Sequence, residues 1–130
     1  LLINDKKFVL EAKNQSFVAL KKLKQLSIKN NAKLTVIGIP HASEIYKDIN
    51  KIHNLKRDLN YEGLQISNIP KNIDFENPKK IFFLVCKKAN IKCLYLPLNK
   101  NSFYELDNHW NDHGQSVAKD YILNNLNFKH

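Results

Sequence analysis

The chain has no run of the about 18 to 20 consecutive apolar residues that a membrane-crossing helix needs, so no membrane span is expected. It has no methionine, and Leu1-Leu2-Ile3-Asn4-Asp5 lacks the basic-then-apolar order of a signal peptide. Those five residues read as the end of a buried strand. The expectation is a chain that begins inside a larger protein, with the N-terminal remainder of the same domain as its partner. Arginine is nearly absent: Arg57 stands alone, with no Arg-rich block and no aromatic-basic repeat. This argues against nucleic acid, although 21 Lys+Arg face 12 Asp+Glu and the net charge is +9. The same balance suits an anionic envelope, an acidic glycan, or simply a solvated lysine-rich surface. There are two cysteines, Cys86 and Cys93, without CxxC spacing. They read as buried small apolar residues and settle no redox compartment. No internal repeat or low-complexity tract is visible.

What is present can build a core. The composition is 43% hydrophobic over 130 residues, which fits one domain or part of one. Between Asp5 and Asn31 there is no Gly or Pro, and Ala12, Ser16, Ala19, Leu20, Leu23 and Leu26 recur at three- and four-residue spacing. That pattern predicts an amphipathic helix from about Asp5 or Lys13 to about Lys29, ending at Asn30-Asn31. Leu34 to Ile39 is nearly continuously apolar and is stopped by Pro40, as a strand covered on both faces would be. Ala42 to Leu59 reads as a weaker helix, followed by an irregular stretch between Gly63 and Pro70. Asn77-Pro78 reads as a capped helix start, and the apolar helix it opens ends near Asn90. Ile91 to Leu96 is the next strand, closed by Pro97. A polar loop over Asn99 to Ser102 follows, and a final helix runs from about Asp112 to about Leu126. Alternating helices and strands with short connections predict a three-layer α/β/α sandwich on a mainly parallel sheet.

Chemistry concentrates in Asp107-Asn108-His109-Trp110-Asn111-Asp112-His113-Gly114. These eight residues hold two carboxylates, two histidines, the only tryptophan and one of three glycines. They lie between a strand and a helix, where reactive side chains of α/β proteins gather. Asp107 and His109 flank one residue, and in an extended segment alternate side chains point the same way. A carboxylate on one imidazole nitrogen fixes the tautomer and leaves the other nitrogen to take a proton from a hydroxyl nucleophile. Trp110 would wall such a site. Asn111 or Asp112 would cap the last helix, and Gly114 would let its first turn pack closely.

The pattern Asp-x-His-Trp-Asn-x-x-Gly before a closing amphipathic helix resembles the C-terminal catalytic block of SGNH hydrolases, the GDSL esterases and lipases. It is most similar to variants that include O-acetyltransferases of bacterial polysaccharides. The resemblance covers most of the chain in layout and residues 103 to 118 in motif. It implies the C-terminal part of a flavodoxin-like SGNH fold and acyl transfer by a Ser-His-Asp triad. His109 would be the base and then the acid, and Asp107 would orient it. No cofactor and no metal are implied. The compartment is left open between a bacterial envelope or secreted location and the cytoplasm. The pair here is separated by one residue, where many members have two. The family's Gly-Asp-Ser nucleophile block is absent from these residues, so the serine is expected outside this chain. Asn4 falls where the family's oxyanion asparagine lies, with a plain turn or helix cap as its alternative.

Bland readings stand beside each site residue. Asp107 and His109 could belong to a surface loop that caps a helix. His109 and His113, four apart, could share a helix face as metal ligands, but no H-E-x-x-H is present and Gly114 suits a helix that begins after His109. His41, at a strand end after Pro40, could line the same cleft or be incidental. Phe103 and Tyr104 could wall a groove or merely pack. A non-catalytic α/β module that binds a glycan or a protein is the rival from another class.

Overall fold

The computed structural model describes residues 6–47, 73–105 and 109–126, which divide into two compact units. The elements are α1 (Lys6–Lys29), β1 (Thr35–Gly38), α2 (Ala42–Tyr46), α3 (Asn77–Ala89), β2 (Lys92–Tyr95), a 3-10 turn (Lys100–Ser102) and α4 (Asp112–Asn125). The arrangement is mixed α/β with a parallel sheet, as expected. Among the described residues the sheet has two strands, β1 and β2, in the register Thr35↔Lys92 through Gly38↔Tyr95.

The first unit contains α1, β1, α3 and β2. Its small core joins Val9 of α1 to Ile81 and Val85 of α3, with Phe17 and Leu20 packed against them. The buried face of α1 is not the expected stripe: Leu20 of that stripe packs here, but Val9 and Phe17 replace its other members, and Leu23 and Leu26 are 48% and 55% exposed. Both long helices of this unit close in the same way. Asn31 (φ 50°) and Asn90 (φ 53°) take the left-handed conformation that asparagine tolerates. The next amides then reach back, Ala32 N to Ser27 O at 2.8 Å and Ile91 N to Cys86 O at 3.1 Å. Lys24 Nζ donates to the carbonyls of Ala89 (3.3 Å) and Asn90 (2.8 Å), covering acceptors that the end of α3 leaves open.

This unit departs from the sequence pattern at the start of α3 and at its cysteines. Helix α3 opens at Asn77, one residue before the expected first-turn proline, and Asn77 is not its cap. The turn ahead of it is tied by Asp74, whose carboxylate accepts from Glu76 N at 2.9 Å and from Lys80 Nζ at 2.9 Å. Cys86 and Cys93 are not separate apolar residues but a disulfide with Cα atoms 6.2 Å apart. Parallel pairing of β1 with β2 needs a crossover, and α3 supplies its last part. That places Cys86, on the buried face of α3, over Cys93 of β2.

Gly38 and Tyr95 are register partners at the end of the sheet. A Cβ on Gly38 would fall 2.4 Å from Tyr95 Cδ2, so the absent side chain is the room the ring occupies. Tyr95 packs there against Phe82 and Phe83 of α3, with centroids 5.4 and 5.9 Å away.

The second unit contains α2, the 3-10 turn and α4. Helix α2 closes at Tyr46, where Lys47 turns left-handed (φ 55°) and its N–H donates to Ser43 O at 3.0 Å, so the helix expected to continue unbroken from Ala42 to Leu59 is interrupted at Lys47. The remainder of the helix expected to Leu59, and the stretch between Gly63 and Pro70, lie outside the described residues. The expected polar loop at Asn99 to Ser102 is a 3-10 turn. Asn99 caps it by accepting from Asn101 N at 2.9 Å, and Ser102 Oγ accepts from Asn99 N at 3.1 Å. Tyr46 of α2 reaches Lys100 O at 3.2 Å and places its ring 6.4 Å from that of Phe103.

Candidate functional site

The site lies in the second unit, on the segment between the 3-10 turn and α4. Phe103 and Trp110 form an isolated antiparallel bridge, and Tyr104 N donates to His109 O at 3.2 Å. This short pairing makes the segment extended at Trp110. Neighbouring side chains therefore turn opposite ways: the His109 side chain is exposed, while Trp110 is half-buried.

Asn111 is the joint that holds the segment. Its Oδ1 accepts from Gly114 N at 3.0 Å, which caps α4 as its residue type suggested. Its Nδ2 donates to Asn101 O at 2.9 Å and to Phe103 O at 3.1 Å. Its backbone N–H donates to Ser102 O at 3.0 Å. One side chain thus ties the helix start to the 3-10 turn and to the bridge strand. The cap is visible in the sequence. The two donor bonds are not, because their partners are backbone carbonyls that any residue at 101 and 103 would present.

Gly114 is buried in the first turn of α4, and the predicted close packing is specific. A Cβ there would lie 2.3 Å from Ser102 O and 2.9 Å from Trp110 Cβ. Ser102, fully buried, was not singled out from the sequence. Its signal was present in Asn99, a cap type three residues earlier.

Asp107 and Asn4 lie outside the described residues, so the expected Asp107–His109 juxtaposition and the oxyanion role of Asn4 have no geometry here. His113 is exposed in the first turn of α4. Phe103 is buried at 5% and Tyr104 is 51% exposed, so the first packs and the second faces outward. Among the described residues no three His, Cys, Asp or Glu side chains are grouped to hold a metal ion.

His41 has a structural task at the start of α2. Its Nδ1 accepts from Ser43 N at 3.2 Å and lies 2.8 Å from Ser43 Oγ, while its own N–H donates to Glu44 Oε1 at 2.8 Å. With Nδ1 used as an acceptor, the neutral ring carries its proton on Nε2. Ser43 is completely buried, so this Ser-His contact closes a turn and presents no hydroxyl to a substrate. Ser102 is equally buried and engaged by Asn99. Neither is an exposed nucleophile.

Comparison with protein-family models, with curated proteins and with solved structures gave no match.

Proposed function

We propose that this chain carries the histidine-and-aspartate portion of an acyl-transfer site of the SGNH/GDSL type. The observation that supports it best is the locked turn at His109. Asn111 is fixed by its named contacts, Gly114 is buried against Ser102, Trp110 is half-buried, and His109 is exposed. That is the division of labour a general base requires: rigid support below and an accessible ring above.

In this reading His109 takes the proton of a serine hydroxyl and then returns it to the leaving group. Asp107 orients the imidazole and stabilises its protonated form. The attacking serine is supplied by sequence outside these 130 residues, from the N-terminal remainder of the same domain. The whole domain would be a three-layer sandwich of the flavodoxin-like SGNH kind, with the parallel pair β1-β2 as part of its sheet. The substrate is a simple ester or an O-acetylated bacterial glycan, which the enzyme either deacetylates or acetylates. The disulfide supports an oxidising compartment, the envelope or the exterior.

In the rival reading the fold is kept for binding and the chain is a non-catalytic α/β module. Hydrolysis of p-nitrophenyl acetate by the full-length protein and by its His109→Ala variant separates the two. The catalytic reading expects a loss of about 10² to 10⁴-fold with the fold unchanged. Equal rates would remove His109 from any catalytic role.

A further inference from the structure

We infer that the outer face of α1 and α3 docks on the surface of an anionic phospholipid bilayer. The positive charge of the chain is not spread evenly. Over residues 6–38 and 73–95, the described part of the first unit, there are 13 lysines against three carboxylates. Over residues 39–47, 96–105 and 109–126, in the second unit, there are three lysines against four carboxylates. The excess therefore belongs to one body, and most of it sits on two helices. Helix α1 carries seven lysines and one acid, Glu11, and α3 carries four lysines and none.

Apolar side chains are exposed among these lysines. Leu10, Asn14, Val18, Lys21, Gln25 and Ile28 follow one another at spacings of four and three, so they share one stripe of α1. Within it Leu10 is 59%, Val18 49% and Ile28 67% exposed. Beside the stripe runs an open groove of about 390 Å³, floored by Phe17, Ile28 and Ala89 and edged by Lys21, Lys24 and Lys88. Lys88 Nζ sits 4.4 Å from the centroid of the Phe17 ring, which holds that charge at the rim. On α3, Leu84 lies one turn from Lys88 and is 54% exposed. Among the described residues none of Lys21, Lys24 and Lys88 forms an ion pair with a carboxylate.

Charge alone would suit any polyanion. The interleaved apolar residues decide between partners. A soluble polyanion engages the lysines and leaves Leu10, Val18, Ile28 and Leu84 in water. A bilayer surface takes both, with apolar side chains at the acyl boundary and lysine stems reaching back to the phosphates. No described helix is long and apolar enough to cross a membrane, so α1 would lie on the surface rather than through it.

The test is co-sedimentation with vesicles of phosphatidylcholine alone and of phosphatidylcholine with about one-third phosphatidylglycerol, in which each docked lysine contributes a factor of about five in partition. The full chain should bind the anionic vesicles, release them as salt rises, and ignore the neutral ones. Lys21→Glu with Lys88→Glu should weaken binding by about 25-fold or more, and Leu10→Ser with Ile28→Ser should weaken it without changing the charge. Lys119→Glu, in the other unit, should bind as the parent does. Circular dichroism of each variant checks that the helices are retained. Equal binding to neutral vesicles, or parent-like binding by the Lys21/Lys88 variant, overturns the proposal. So does unimpaired binding by the Leu10/Ile28 variant, which would assign the face to a soluble polyanion such as polyphosphate.

Discussion

Asn111 concentrates more structure than any other described side chain of the second unit, and its replacement should be costly. Asn111→Ala removes a helix cap of about 1 kcal/mol. It also leaves two carbonyls without their donors, at about 0.5 to 1.5 kcal/mol each. A total loss of about 2 to 4 kcal/mol is expected in urea unfolding. Asn111→Ser restores the cap acceptor but not the amide donors, so it should recover about 1 kcal/mol of that loss. If serine recovers nothing, the cap is not what Asn111 contributes. Asp74 makes a different residue-scale prediction. Its hydrogen bond from Lys80, then that from the Glu76 amide, holds its carboxyl below the ordinary value of 3.8. A lowered folded-state pKa gives stability that is present above the unfolded value and is lost as pH falls through the folded one. Asp74→Asn should therefore be less stable than the parent at neutral pH, and the gap should close in acid below the usual carboxylate range. Because the carboxylate is solvent-exposed the gap should be small, and denaturant midpoints measured across that range report it.

At the scale of elements, the disulfide is the strongest single tie, because Cys86 on α3 and Cys93 on β2 close a short loop through the helix end at Asn90. Loop closure of this length stabilises by about 2 to 3 kcal/mol. Cys86→Ala with Cys93→Ala should lower stability by that amount, and the unfolded but unreduced parent should show no titratable thiol. Two thiols per chain in that assay would refute the pairing. The helix ends were readable from residue types, since Asn31 and Asn90 follow the last apolar positions of α1 and α3 and asparagine accepts a left-handed backbone. The start of α3 was not. Asn77-Pro78 has the look of a cap and first turn, but Asp74 makes the contacts, and only the path of the preceding turn puts its carboxylate over Glu76 N.

At the scale of the whole molecule, the uneven charge has a thermodynamic consequence. With 13 lysines against three carboxylates in the described part of one unit, like charges are compressed on folding. Raising salt shortens the screening length from about 30 Å at 0.01 M to about 8 Å at 0.15 M. The melting temperature should rise over that range, because self-repulsion is relieved faster than the few exposed ion pairs are weakened. A melting temperature that falls with salt would mean attractive pairs dominate instead.

The sequence by itself determined what depends on neighbours along the chain. Hydrophobic period marked β1, α3, β2 and α4 to within a residue or two of their ends; for α1 it marked the end at Lys29 and left two starts, of which the structure takes the one near Asp5. Residue chemistry marked Asn111 as a cap, Gly114 as a packing glycine and His109 as the reactive candidate. Tertiary structure alone decided what depends on distant backbone. It joined Cys86 to Cys93, because a parallel crossover laid α3 on β2. It buried Ser43 and Ser102 against the turns they close. It gave His41 a capping task at the start of α2. Its registry of Phe103 with Trp110 also turned His109 outward, since a bridge between residues seven apart fixes which face each side chain takes and no local period encodes it.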